Sequence, residues 1–183
     1  MRFEAGLGPA RVPMQVDIGF GDVVSPRADA VKLPPLLDFS PTLFPAYSRE
    51  SVVAEKLHAM VKLGSINSRM NDFFDIWFLS TNFDFNGETL AAAIAATFEA
   101  RKTAVPSEVA AFGSEFGDSI EKQAQWTSFR RKSRLEEAPE SLGEVTRRIA
   151  GFLTPLVRSL ATGASFQLNW RPPGPWDGAI RTS

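Results

Sequence analysis

Four charged residues interrupt apolar runs in the first half of the chain. They are Asp17 in MQVDIGFGD, Lys56 in VVAEKLHAM, and Asp72 and Asp75 in RMNDFFDIWFL. Burying an unpaired charge is costly, so charges set this way are paired or used. The residue types suit phosphate chemistry. A strand carboxylate beside Gly19 and Gly21 can hold a divalent cation while the glycines let a ligand approach the backbone. A helical lysine in an apolar stretch can reach phosphate oxygens as a point charge. Asp72 and Asp75 are neighbours on one side of a helix, with Arg69 one turn earlier. Each also has a plainer explanation: a solvent-facing Asp17, a Lys56 whose stem covers core surface, and an Asp72 placed at a helix N-terminus by the dipole. Asp75 lies deeper in its helix and is harder to explain that way. The order of the group is more specific than any member: strand Asp, helical Glu55-Lys56, then Arg-x-x-Asp-x-x-Asp ahead of an aromatic helix.

Other chemistries are excluded by residue type. The chain has no cysteine and a single histidine, His58. Disulfides, thiolate nucleophiles and multi-histidine metal sites are therefore absent, and a cytoplasmic protein is expected. His58 reads as a helix-surface residue. The GFG triplet lacks the third glycine and the following helix of a dinucleotide fingerprint, and no P-loop, H-E-x-x-H or Ser/His/Asp arrangement is legible. Net charge is -1, with a pI near 5.9, which argues against a chain-wide basic field. The basic run Arg130 to Arg134 reads as a solvated face, with phosphate contact as the sharper alternative. No apolar run approaches the roughly 20 residues that span a bilayer, and the first residues do not form a signal peptide.

The elements that must position these residues follow from periodicity. Residues 2 to 8 and 12 to 20 read as paired strands turning at Gly8, Pro9 and Ala10. Val12, Met14, Val16, Ile18 and Phe20 alternate with Gln15 and Asp17, which puts Asp17 on the face opposite the apolar set. A short edge strand is expected within the proline-rich stretch, at Lys32 to Phe39. Ser48 or Ser51 caps a helix to about Leu63, stopped by Gly64, and a second helix runs from about Ser68 to Ser80. The turn FDFNGE leads to an alanine-rich helix at 88 to 101. A loop at 102 to 117 precedes a helix capped by Asp118 and running to about Glu137. Its outer face carries Lys122, Arg130, Arg131, Lys132 and Arg134. Ser141 opens a last helix to about Leu160, with Pro155 inside it. The fold class is α+β: a mixed sheet from the N-terminal strands, about 2 to 39, then a mainly helical region, about 48 to 161. These 161 residues read as one domain, consistent with 44% hydrophobic content in 183 residues. Residues 162 to 183 read as an extended Pro/Gly-rich tail on which Phe166, Trp170 and Trp176 could dock.

The segments MQVDIGFGDVV, YSRESVVAEKLHAMVKLG and NSRMNDFFDIWFLS, with the tail FQLNWRPPGPW, resemble the AbiEii/AbiGii toxins, a family of the DNA polymerase beta-like nucleotidyltransferase superfamily. The resemblance implies a toxin of a toxin-antitoxin, abortive-infection system active in phage defence. It would transfer a nucleotide from an NTP to an RNA acceptor, such as a tRNA end, with Mg2+. A cognate antitoxin is the implied protein partner, and no membrane is implied. The family's strand carboxylate falls on Asp17, at the metal or the acceptor hydroxyl. Its lysine falls on Lys56, at the NTP phosphates, and its late aspartate on Asp72. Glu55, Arg69 and Asp75 take supporting roles.

The family's first motif, a Gly-Gly or Gly-Ser turn followed by Asp-x-Asp, belongs upstream of the Asp17 strand. Only sixteen residues precede Asp17, and no Asp-x-Asp occurs in the chain. Paired Mg2+ ions clamp the attacking and leaving oxygens in this chemistry, and one strand Asp does not replace the pair. The expectation is a C-terminal portion of the enzyme that is inactive alone. The rival reading is a non-catalytic remnant binding RNA or an antitoxin through its acidic rim and the Arg130 to Arg134 face. A third is a decayed fragment without function.

Overall fold

Gly8, at a φ of +59°, turns the chain between β1 (Arg2–Leu7) and β2 (Ala10–Gln15), a left-handed conformation that costs glycine little. The computed structural model describes residues 1–16, 25–35, 38 and 40–178. Asp17 and the rest of the expected strand to residue 20 lie outside the described residues. The hairpin is antiparallel, with Phe3 opposite Met14 and Ala5 opposite Val12. These four share one face, as the alternation requires. Phe3, Val12 and Met14 nevertheless remain exposed among the described residues.

The expected edge strand begins earlier than the proline spacing suggested. It is β3 (Asp29–Leu33), and it pairs antiparallel with β4 (Thr42–Ala46), which was not expected. Pro45 is tolerated in β4 because a two-stranded sheet leaves each strand one free edge.

Local capping sets the helices. Ser48 Oγ accepts from the Ser51 amide at 3.1 Å and opens α1 (Arg49–Leu63), and Gly64, at φ +52°, closes it. The second helix, α2 (Met70–Asn82), starts and ends two residues later than expected. Asn86 caps α3 (Gly87–Ala100). A short helix, α4 (Ser114–Gly117), lies in the stretch read as loop. Ser119, not Asp118, caps α5 (Ile120–Ser133), because its hydroxyl reaches the Lys122 amide. This helix ends before Glu137, with Arg134 in the left-handed conformation. Ser141 caps α6 (Leu142–Ala161), which contains Pro155 as expected.

The core gathers one stripe from each long helix. Val53, Leu57 and Met60 of α1, Phe73 and Ile76 of α2, Leu90, Ile94 and Phe98 of α3, and Val145, Ile149, Phe152 and Leu156 of α6 are all buried. The segment after α6 docks on this body. β6 (Leu168–Trp170) pairs with β5 (Phe85–Asn86), a two-residue strand inside the expected FDFNGE turn, and with β7 (Trp176–Gly178). Trp170 is buried and donates its indole N–H to the Ser80 carbonyl at 2.7 Å. Trp176 stacks on Phe152 and donates to the Phe152 carbonyl at 2.7 Å. The architecture is α+β, as the sequence implies, with its strands in small antiparallel sheets.

Candidate functional site

Lys56 sits on α1 beside the apolar stripe, so its stem is covered while its ammonium reaches α2. Nζ lies 3.1 Å from Asp72 Oδ1 and 2.6 Å from Asp75 Oδ2. Arg69, just before α2, brings Nε to 2.8 Å from Asp72 Oδ2, and Asn71 Nδ2 donates to Asp72 Oδ1 at 3.1 Å. Asp72 is fully buried, and Lys56 keeps 18% of its side chain exposed. A buried carboxylate is tolerable only when its charge is compensated, and two cations do so here. Asp75 differs in being 40% exposed. It is the partner of Lys56 that an incoming anion can displace without unpacking the core.

Glu55 precedes Lys56 in sequence but points elsewhere on the helix. It pairs with Arg101 at the end of α3, away from the lysine network. A cavity of about 400 Å³ opens between these groups, lined by Tyr47, Glu55, Lys56, His58, Arg69 and Arg101. Three cations thus face one space. Each is already paired, Lys56 and Arg69 with the aspartates and Arg101 with Glu55, so a ligand carrying several negative charges fits here by exchanging for the exposed Asp75.

Two residues depart from their sequence readings. His58 is buried, not on the helix surface. The apolar stripe wraps further round α1 than the leucine and valine spacing suggests, and α3 covers it. His58 Nε2 is 3.1 Å from Thr103 Oγ1, and its ring sits edge-on to Phe98. Thr103 Oγ1 also lies 3.2 Å from the Arg101 carbonyl oxygen, so the hydroxyl joins His58 to the end of α3. Burial, then the positive charges of Arg101 and Lys62, hold the His58 pKa below 6.5. Lys122 likewise does not belong to the outer basic face. It is buried, donates to the Asn67 carbonyl at 3.0 Å, and lies 5.3 Å from the Phe116 ring centre. Arg131, Lys132 and Arg134 stay exposed.

The structure thus brings Lys56, Arg69, Asp72 and Asp75 together. It sets Glu55 on a neighbouring pair and does not describe Asp17. Among the described residues no group of three or more His, Cys, Asp or Glu side chains converges as a metal site. Asp72 and Asp75 are engaged by Lys56 and Arg69, so these two carboxylates do not fit a Mg2+ site.

A family model for the nucleotidyl transferase AbiEii toxin, of a type IV toxin-antitoxin system, matches residues 1–150. The chain belongs to the AbiEii family. No curated protein and no solved structure matches it. Membership gives the chain a type IV toxin-antitoxin, nucleotidyltransferase-like role. The AbiEii match contains the whole Lys56 network and ends inside α6. No described helix is long and apolar enough to cross a membrane. Arg101 and Tyr47, which line the cavity of this AbiEii chain, were missed by sequence reading. Arg101 meets Glu55 across 46 residues, and no local spacing marks such a pair.

Proposed function

We propose that the Lys56 cavity receives the triphosphate of an NTP, and that the chain serves transfer of the nucleotide to an RNA acceptor such as a tRNA end. In that transfer the acceptor oxygen bonds to the α-phosphorus, the bond from the α-phosphorus to the bridging oxygen breaks, and pyrophosphate leaves. The observation that carries the reading is the three cations around one cavity, with Lys56 held by one buried and one displaceable carboxylate. Lys56 neutralises triphosphate charge, the largest kind of contribution in this class of reaction. Asp72 orients the lysine. Arg69 shares the load on Asp72 and lends a second charge. Asp75 releases Lys56 when phosphate arrives, and Glu55 fixes Arg101 at the cavity wall.

Asp17 is assigned the strand carboxylate that meets Mg2+ or takes the proton of the acceptor hydroxyl. The sequence holds no Asp-x-Asp pair, so these 183 residues are not expected to turn over NTP by themselves. A cognate antitoxin is the expected protein partner. The test joins the chain to a segment supplying the Gly-Ser turn and Asp-x-Asp, and follows α-labelled NTP onto bulk tRNA. Lys56→Ala should abolish labelling with the fold intact, and undiminished labelling would remove Lys56 from this role. Labelling by the unjoined chain would refute its expected inactivity.

A further inference from the structure

Three of the four tryptophans spend their indole N–H on a backbone carbonyl: Trp126 on Pro139, Trp170 on Ser80 and Trp176 on Phe152. Trp77, on α2, has no such acceptor among the described residues and is only half-buried. It lines an open cleft of about 890 Å³ with Arg147, Arg148 and Gly151 of α6 and with Pro173 and Pro175 of the segment between β6 and β7. Arg147 donates Nε to the Gly143 carbonyl at 2.9 Å, which fixes its stem, and Arg148 lies 5.9 Å from the Trp170 ring centre. Neither arginine belongs to an ion pair among the described residues, although Glu144 also borders the cleft.

Gly151 is the second pointer. It is exposed in the middle of α6, where glycine is unfavourable. A Cβ built there meets nothing within 4 Å. Packing within the molecule therefore does not require glycine. Gly151 stands four residues before Pro155, which frees its carbonyl from the helix ladder, and without a side chain it leaves that backbone open to close approach by an outside group.

Two guanidinium groups without carboxylate partners suit phosphates, and a half-open indole between proline walls suits a stacked base. We propose that this cleft binds single-stranded nucleic acid, with phosphates on Arg147 and Arg148 and a base on Trp77. Trp77 follows Asp75 by two residues, about 200° around α2, so the cleft faces away from Lys56. A ligand touching both sites must be a polymer. The cleft is then an anchor for the acceptor strand, and that last step rests on the transfer reading, whereas binding in the cleft does not.

Fluorescence anisotropy with labelled oligouridylate and oligothymidylate tests the site on the full chain, the two probes separating RNA from DNA. Binding of either is expected. Arg147→Ala with Arg148→Ala should weaken it about tenfold or more and flatten its salt dependence. Gly151→Ala should weaken binding while leaving the melting temperature equal or higher, an outcome no structural role for Gly151 would produce. Oligonucleotide should quench tryptophan emission in the wild type and not in Trp77→Phe. Unchanged affinity in the double arginine variant, or in Gly151→Ala, overturns the proposal. Loss of transfer function at Lys56 without loss of cleft binding, or the reverse, tells the two readings apart.

Discussion

Asp72 carries the highest electrostatic load of any residue in the Lys56 network. It is fully buried and faces Lys56, Arg69 and Asn71 at once. Breaking a buried pair by removing one partner strands the other charge, so Asp72→Asn should cost about 3 kcal/mol in a urea titration. Asp75 is exposed enough for solvent to screen it, and Asp75→Asn should change stability by less than about 1 kcal/mol. His58 predicts a pH effect of definite sign. Its folded pKa lies below 6.5, so the fold favours the neutral ring and the unfolded chain takes up the proton first. The stability it contributes is complete above pH 6.5 and is lost as pH falls through the lowered folded value. His58→Gln should flatten that part of a melting-temperature profile against pH. At this scale the sequence was half legible. Lys56, Asp72 and Asp75 stood out as charges in apolar runs, but the pairing of Lys56 with Asp72 spans 16 residues and was not read from local spacing. His58, Lys122 and Arg101 were misread or missed because what covers or pairs them comes from distant chain.

Element by element, legibility followed the density of local signals. Gly64 and Ser141 marked helix ends correctly, and Ser48 was one of the two caps expected for α1 beside Ser51, because a cap is a contact within three or four residues. Ser48→Ala should therefore cost about 1 kcal/mol, read by thermal or urea unfolding. Asp118 was read as the cap of α5, but the adjacent Ser119 takes that place, its hydroxyl accepting from the Lys122 amide. β4 was hidden by Pro41 and Pro45, which read as loop. β5 is two residues long and exists because β6 lies beside it, more than eighty residues away in the chain. No window of sequence contains that information.

The whole molecule is closed by the segment after α6. Trp170 is buried under Ser80 of α2, and Trp176 lies flat on Phe152 of α6. Gly87, at the start of α3, makes room for this segment, since a Cβ there would stand 2.5 Å from the Leu168 carbonyl oxygen. Trp170→Ala should destabilise the protein by about 3–5 kcal/mol, measured by denaturant unfolding, through the cavity left behind. The docking aromatics were visible in the sequence, but not the strands that carry them. The residues of the candidate site converge in the same way. Three cations from the start of α2, the middle of α1 and the end of α3 meet at one cavity, and that convergence is where we propose a triphosphate binds. Calorimetric titration of the intact chain with a non-hydrolysable NTP tests this most directly. Lys56→Ala is predicted to bind at least about tenfold more weakly, with a lowered melting temperature because the buried Asp72 keeps only Arg69, and Asp75→Asn to bind more tightly with a near-native melting curve. Equal affinity of wild type and Lys56→Ala, or no binding by the wild type, would contradict it.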